Sequence, residues 1–225
     1  MYILAVETSS RTGSVALLED ERVVREEPLG VDLRHSQDLL PCIDRVLGPR
    51  KGEVGLVAVG AGPGSYTGLR IGLTFVKVFC TETGVPVVPV SSLDVTARNV
   101  REFDRLCVVA DARLRRVYAA VYSPGYRKLK GDLAAPPAEV AASLEPGTKV
   151  VGTGLRRYRD VFSGAGEIVE DEAMWTPQAR YAGIIGRQVF EEQGGEDPAA
   201  LEPRYLRRPQ AEIKWEQLQS ESGPK

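Results

Sequence analysis

The sequence predicts a duplicated α/β protein of two lobes, each built on a mixed β-sheet flanked by helices. Twice along the chain an apolar run of strand length ends in an acid, at Glu7 and at Asp111. In both places a second strand resumes about seven residues later. In both halves a strand, a glycine turn and a helix-like run then follow. A repeated unit of this kind places two sheets around a cleft.

The first lobe is predicted over residues 1–100. Its strands are predicted over residues 2–7, 14–18, 22–26, 56–61 and 85–90, and its helices over 31–48, 65–83 and 93–100. The last of these strands contains two prolines, which indicates an edge strand or a short one. Pro41 either kinks the first helix or places its start near residue 40.

Residues 55–84, GLVAVGAGPGSYTGLRIGLTFVKVFCTETG, are the segment around which the first lobe is organised. Gly64, Gly68 and Gly72 recur every fourth residue and give one helix ridge without side chains. Because glycine weakens a helix interior by roughly 1 kcal/mol relative to alanine, the ridge predicts a compensating close contact. Two explanations are open at this point: a phosphate-cradling turn at a helix N-terminus, or a helix built to pack against another helix.

The second lobe is predicted over residues 101–196. Its strands are predicted over 106–110 and 117–122, and residues 149–154 are predicted as a strand followed by a glycine turn. Its helices are predicted over 136–144, from 155 onward and over 177–193. A tail over 197–225 carries apolar anchors, namely Tyr205, Leu206, Ile213 and Trp215. Such a tail either folds back over the first lobe or docks a partner.

The composition is that of an ordinary globular protein, with 43% apolar and 27% charged residues. No apolar run reaches the ~20 residues that a membrane-spanning helix needs, and the N-terminus lacks the basic region of a signal peptide. We therefore expect a cytoplasmic protein without a membrane partner. Cys42, Cys80 and Cys107 are widely separated and predict buried thiols, not a disulfide or a cysteine metal site. With His35 as the one histidine, no metal site is expected.

The basic residues are skewed towards arginine, with 22 arginines against seven lysines in a chain of net charge −2. The arginines form three local clusters: Arg113/Arg115/Arg116, Arg156/Arg157/Arg159 and Arg204/Arg207/Arg208. Each cluster is either a solvated face or a group that recognises a phosphate or a carboxylate, which suits the planar guanidinium.

The acid and polar turn after the first strand match the arrangement of actin-type and sugar-kinase-type nucleotide folds. There an acid holds the metal, and turn amides and hydroxyls hold the phosphates. The residues that could act in this way are Glu7, Thr8, Ser9, Ser10 and Thr12, with Asp111 as the second acid. An active small-molecule kinase or ATP-binding protein is thus one functional hypothesis. A serine protease is disfavoured because no G-x-S-x-G motif is present.

Five segments of the chain resemble the bacterial TsaB family, also called YeaZ. They are ILAVETSSRTGSVALL (3–18), HSQDLLPCIDRVL (35–47), GAGPGSYTGLRIG (60–72), DARLRRVY (111–118) and LEPRYLR (201–207). The resemblance implies a duplicated actin-like, Hsp70-like ATPase (ASKHA) fold of two lobes with ribonuclease-H-like mixed sheets. It also implies a part in making N6-threonylcarbamoyladenosine at position 37 of tRNAs that read codons beginning with A.

By the same resemblance the chain is a non-catalytic scaffold and activator of TsaD, the catalytic paralogue. TsaD holds its metal with a His-x-x-x-His motif, and the equivalent positions here are Ser92 and Thr96. The implied partners are TsaD, through a helix bundle of the first lobe, and the ATPase TsaE. A homodimer in isolation is the alternative pairing, and tRNA is contacted indirectly through the complex.

The resemblance assigns the partner interface to the first two helices. The residues so assigned are His35, Leu39, Ile43, Val46, Leu47, Gly64, Tyr66, Gly68, Leu69, Gly72, Leu73 and Val76. The polar turn and Asp111 become vestigial phosphate contacts, no catalytic residue is assigned, and no cofactor is expected beyond weak ATP or ADP binding.

Overall fold

The computed structural model describes residues 1–30 and 35–207 and contains two five-stranded mixed sheets. In the first sheet the spatial order is β3-β2-β1-β4-β5. Its strands are β1 (Tyr2–Glu7), β2 (Ser14–Glu19), β3 (Arg22–Pro28), β4 (Val54–Gly60) and β5 (Val87–Val90). β1 to β3 are antiparallel, whereas β4 and β5 run parallel to β1. The proline-containing strand β5 lies at the sheet edge, as its sequence predicts.

The second sheet repeats the first strand for strand. Its strands are β6 (Leu106–Asp111), β7 (Val117–Ser123), β8 (Arg127–Ala135), β9 (Lys149–Val151) and β10 (Glu167–Ile168). Their spatial order, β8-β7-β6-β9-β10, matches the first sheet, and β9 and β10 are again the parallel members. The predicted duplication and α/β fold class are confirmed.

Six α-helices complete the described part of the chain. They are α1 (His35–Leu47), α2 (Tyr66–Thr83), α3 (Ser92–Ala97), α4 (Pro137–Ala142), α5 (Leu155–Ser163) and α6 (Ala179–Gln193). Helix α1 begins before Pro41, so the proline does not mark its start. Helix α2 begins after Ser65, whose hydroxyl accepts a hydrogen bond from the N–H of Gly68, and ends at Gly84, which has the left-handed φ of 70°.

The first sheet is covered on both faces because alternate residues of its central strands are apolar on each side. Leu4 and Val6 of β1 pack in one cluster with side chains of α1 and α2, whereas Ile3 and Ala5 pack in another with α6. Gly183 and Gly186 let α6 approach β1, β2 and β4 closely, since a Cβ at either position would overlap Leu18 or Ala58. Helix α6 was predicted within the second lobe, and the structure places it on the first sheet instead.

Helix α3 joins the two cores. Val95 packs in the first-lobe cluster, whereas Leu93 and Ala97 pack in the second-lobe core. Between them Asp94 accepts a hydrogen bond from the hydroxyl of Tyr122 on β7 at 2.7 Å. The lobes are therefore connected by packed side chains as well as by the chain itself.

Candidate functional site

Glu7, the acid at the end of β1, lies in the interior of the first lobe. Its side chain is fully buried, and it accepts hydrogen bonds from the backbone N–H of Ser9 at 2.7 Å and from the hydroxyl of Ser92 at 3.0 Å. Burial raises the pKa of the Glu7 carboxyl, although these hydrogen bonds act in the opposite direction. No basic side chain of the described ranges stabilises its charge. The first lobe therefore contains a buried carboxyl group whose ionisation is unfavourable.

The glycine ridge of α2 packs against the turn that follows Glu7. A Cβ at any of its glycines, or at Gly60 before the turn, would overlap this turn. The overlapped groups are the Glu7 carboxylate at Gly60, the Ser9 backbone at Gly64, the Thr8 carbonyl oxygen at Gly68 and the Thr8 hydroxyl at Gly72. The close approach that the ridge requires is thus made within the monomer.

This contact corrects both explanations that the sequence left open for the ridge. Gly68 and Gly72 are covered by Thr8, so they offer neither a cradle for a phosphate nor a free surface for a partner helix. Thr8 itself is fully buried, and its hydroxyl has no hydrogen-bond partner in the described structure. The ridge instead anchors α2 to the β1–β2 turn.

The residues predicted as phosphate contacts fall into three groups. Glu7, Thr8 and Ser9 are buried together beneath α2, whereas Ser10 and Thr12 lie half-buried at the rim, with the Ser10 hydroxyl donating to the Thr12 carbonyl at 2.6 Å. Asp111 ends β6 in the other sheet, so the structure does not group it with the first turn.

The turn after Asp111 has a different construction. The Asp111 carboxylate accepts a hydrogen bond from the backbone N–H of Arg113 at 2.9 Å. Arg113, Leu114 and Arg115 all have positive φ, between 48° and 58°, and all three are exposed. Three consecutive left-handed residues that are not glycine are sterically unfavourable. The β6–β7 turn is therefore an exposed, strained loop, whereas the β1–β2 turn is buried.

The C-terminal segment contacts the glycine turn between β4 and α2 in the first lobe and the β6–β7 turn in the second. The N–H of Arg204 donates to the carbonyl of Ala61 at 2.8 Å, beside the glycine turn of the first lobe. The ring of Tyr205 stacks on Tyr66, with centroids 5.1 Å apart. The Arg207 guanidinium then donates to the carbonyls of Ala112 and Arg113, at 2.8 and 3.2 Å. The predicted anchors Ile213 and Trp215 lie outside the described residues.

Helices α1 and α2 form an apolar groove on the outside of the first lobe. The groove has a volume of about 650 Å³. It is lined by Ser36, Leu39, Leu40, Arg70, Ile71, Thr74, Phe75, Val78 and Phe79. Leu40 and Val78 are each 58% exposed, which is unusual for aliphatic side chains that share one surface. This groove is the candidate functional site.

Most of the residues assigned to the partner interface lie behind this groove, in the core of the first lobe. The buried ones are Leu39, Ile43, Val46, Leu47, Gly68, Leu69, Gly72, Leu73 and Val76. Tyr66 is 37% exposed, Gly64 is half-buried, and the side chain of His35 lies outside the described residues. Of these residues, only Leu39 also lines the groove. Thr8 covers Gly68 and Gly72, and for the remaining residues a partner contact stays a prediction.

The groove residues of α2 carry a signal that sequence reasoning missed. Ile71, Phe75, Val78 and Phe79 follow the spacing i, i+4, i+7, i+8, which is one face of a helix. The same helix has a second, buried face that includes Leu69, Leu73 and Val76. Ile71, Phe75 and Phe79 are partly buried against the same first-lobe core, whereas Val78 is 58% exposed. A helix that stays apolar beyond its buried face indicates a second packing surface.

Other candidate chemistry has a structural explanation. The Ser65 hydroxyl caps α2. All three cysteines are buried free thiols, and burial raises the pKa of Cys42 to about 11 and of Cys80 and Cys107 to about 12. Within residues 1–30 and 35–207 no group of three or more His, Cys, Asp or Glu side chains could hold a metal ion. In the same ranges no helix is long and apolar enough to span a membrane.

Comparison with known structures supports the fold class first. A ROK family protein from Streptococcus pneumoniae, 11% identical, superposes with a TM-score of 0.51 over 86% of this chain and 99% of that one. At that identity the likeness concerns the fold alone. With the duplicated sheets and the acid-and-turn hairpin, it defines the fold as that of the actin-like, Hsp70-like (ASKHA) class.

Nearer relatives then identify the family. The TsaB protein of Bacillus subtilis, named for tRNA threonylcarbamoyladenosine biosynthesis, is 30% identical over 96% of this chain and 98% of its own. YeaZ from Pseudomonas aeruginosa is 28% identical, with a TM-score of 0.79 over 91% of this chain and 99% of that one. Residues 27–150 match the family model of TsaD, the tRNA N6-adenosine threonylcarbamoyltransferase. The chain belongs to the TsaB (YeaZ) family and has a part in threonylcarbamoyladenosine biosynthesis.

Proposed function

We propose that this chain is a non-catalytic scaffold and activator of the TsaD-containing complex. That complex makes N6-threonylcarbamoyladenosine at position 37 of tRNAs that read codons beginning with A. In this proposal the chain acts in the cytoplasm, pairs with TsaD through α1 and α2, and is joined by the ATPase TsaE. The exposed apolar groove between these helices is the observation that carries the proposal.

The groove favours a helical partner for reasons of shape and energy. It is bordered by two helices, and the apolar side chains that α2 contributes to it follow helical spacing, so a partner helix can lay its own apolar side chains along it. Leu40 and Val78 are each 58% exposed, so burying them would contribute about 1–2 kcal/mol of transfer free energy each. The same surface on a second copy of the chain would give a homodimer when TsaD is absent.

The absence of independent catalysis is supported by what Ser92 and Thr96 do. The resemblance equates these positions with the metal-holding histidines of TsaD. Here the Ser92 hydroxyl donates to Glu7, and the Thr96 hydroxyl donates to the Ser92 carbonyl at 2.8 Å. Both side chains are buried and satisfied inside the chain. They serve packing of the first lobe, which suits a structural role.

The function is tested by reconstitution with purified proteins and unmodified tRNA. The chain alone should transfer no threonylcarbamoyl group, and TsaD with TsaE should become active only when it is added. Full activity of TsaD and TsaE without this chain would overturn the proposal.

Titration calorimetry with Mg-ATP on the isolated chain distinguishes the scaffold from the alternative function, an active small-molecule kinase. We expect no site of micromolar strength because the first turn is filled by α2, and a micromolar site would favour the kinase.

A further inference from the structure

Two of the arginine clusters that are remote in sequence meet in the structure. Arg207 of the C-terminal segment donates to the carbonyls of Ala112 and Arg113 in the β6–β7 turn, which brings the segment onto the turn. The resulting turn–tail arginine cluster comprises Arg113, Arg115, Arg116, Arg204 and Arg207. The first four are exposed and Arg207 is half-buried.

The third arginine cluster, on α5, differs in its electrostatics. Arg159 forms a salt bridge with Glu170 at 2.5 Å, and Arg156 lies 3.8 Å from Glu172. In the turn–tail arginine cluster the one ion pair of the described residues is the distant contact of Arg113 with Asp111, at 3.9 Å. The α5 cluster is thus neutralised by its own acids, whereas the turn–tail arginine cluster keeps its positive charge in a chain whose net charge is −2.

The backbone of the turn adds a second, independent feature. Arg113, Leu114 and Arg115 hold left-handed conformations that cost roughly 1–2 kcal/mol each for residues other than glycine. Strain of this kind persists where surrounding contacts enforce it, and it concentrates at functional sites. Here the two hydrogen bonds from Arg207 to Ala112 and Arg113 hold the turn together with the hydrogen bonds inside it. The turn displays its guanidinium groups at a cost in stability.

We propose that the turn–tail arginine cluster binds the phosphate backbone of RNA. Guanidinium groups match phosphate oxygens in a bidentate manner, and several guanidiniums without a close carboxylate partner among the described residues favour a polyanion over a single anion. An acidic protein is the competing ligand, and the test separates it from RNA. The proposal rests on the charge distribution and is independent of the scaffold role.

The test compares two double variants with the same change in charge. Arg115→Gln with Arg204→Gln removes two guanidiniums of the turn–tail arginine cluster whose side chains bond no described residue. Arg156→Gln with Arg159→Gln removes two from α5 and breaks only exposed ion pairs, which contribute little to stability. Binding of fluorescein-labelled tRNA transcript to the full chain is measured by fluorescence anisotropy at salt concentrations from about 50 to about 200 mM. The salt concentration is varied because affinity that depends on phosphate contacts falls as salt rises.

The first double variant should bind tRNA about tenfold more weakly at low salt and should reduce the slope of log affinity against log salt by about 2. The α5 variant should keep the wild-type affinity and slope. Equal losses in both variants, or no binding by the wild-type chain, would overturn the proposal. Displacement of the tRNA by polyglutamate at equal charge concentration would also overturn it and would indicate an acidic protein partner.

Discussion

The β1–β2 turn and the β6–β7 turn occupy the same position in the two copies of the fold, yet they differ in burial and charge. In the first lobe Glu7 and Thr8 are fully buried, and the glycines of α2 lie directly against them. In the second lobe the turn is exposed and carries arginines in left-handed conformations. The first turn is therefore a packing element, whereas the second is a surface element.

The difference explains where the candidate partner surface lies. Because Thr8 contacts Gly68 and Gly72, the glycine face of α2 is fixed to the first sheet. The face of α2 that carries Ile71 and Phe75 then borders the groove between α1 and α2. The second lobe has no counterpart of this arrangement among its described residues, since the helix α5 that follows its glycine turn is shorter and packs mainly through Leu155 and Phe162.

The largest effect on stability is expected from a substitution that adds a side chain where α2 contacts the β1–β2 turn. In Gly68→Ala the new methyl group would overlap the Thr8 carbonyl oxygen, which is backbone and cannot rotate away. We expect the free energy of unfolding to fall by about 3 kcal/mol, measured by urea denaturation. Gly164→Ala is the matched control, because nothing lies within 4 Å of a Cβ there. Equal stability of both variants would show that α2 is not anchored by this contact.

A smaller effect is expected from releasing the second turn. Arg207→Ala removes the two hydrogen bonds that hold the left-handed residues, and we expect a loss of about 1 kcal/mol in the free energy of unfolding. Arg204→Ala should leave stability nearly unchanged, since its hydrogen bond to Ala61 is made by the backbone. If the Arg204 variant is the less stable of the two, Arg207 does not enforce the turn.

The buried acid of the first turn predicts a pH dependence of stability. Burial raises the pKa of Glu7 above its ordinary value of 4.5, so ionisation disfavours the folded state, and stability is lost as pH rises from that value towards the folded pKa. Glu7→Gln removes this loss and keeps an acceptor for Ser9. The stability of the variant relative to wild type should therefore increase with pH above 4.5 and then level off. A difference that is constant with pH would contradict the raised pKa.

The sequence was informative where the pattern repeats and where burial determines residue type. The strand–acid–turn–strand units at Glu7 and Asp111 predicted the duplication and the two sheets. Strand β8 was missed because its residues, RKLKGDLAA, are largely exposed at a sheet edge and carry no alternating apolar pattern. Helix α6 was placed with the wrong lobe, since its sequence shows which face is apolar but not which sheet that face will cover.

The candidate site could be predicted only in part. The family resemblance assigned the partner interface to α1 and α2, which stays a prediction, and the glycine ridge was taken as part of that surface. A row of glycines has the same sequence pattern whether a ligand, a partner or another part of the chain packs against it. The contact with Thr8 depends on a hairpin about sixty residues earlier, and only the fold shows it.

Pairing of the chain with TsaD through the groove is the central claim, and one comparison of variants tests it directly. Leu40→Asp with Val78→Asp places two charges on the exposed side chains of the groove. Val161→Asp places one on α5 of the second lobe, where the side chain is 38% exposed.

Each protein is mixed with TsaD and passed over a sizing column, with circular dichroism as the control for folding. The account predicts that wild type and Val161→Asp elute with TsaD, whereas the folded double variant elutes alone because burial of charge in an apolar interface is unfavourable. Co-elution of the double variant with TsaD at wild-type strength would contradict it.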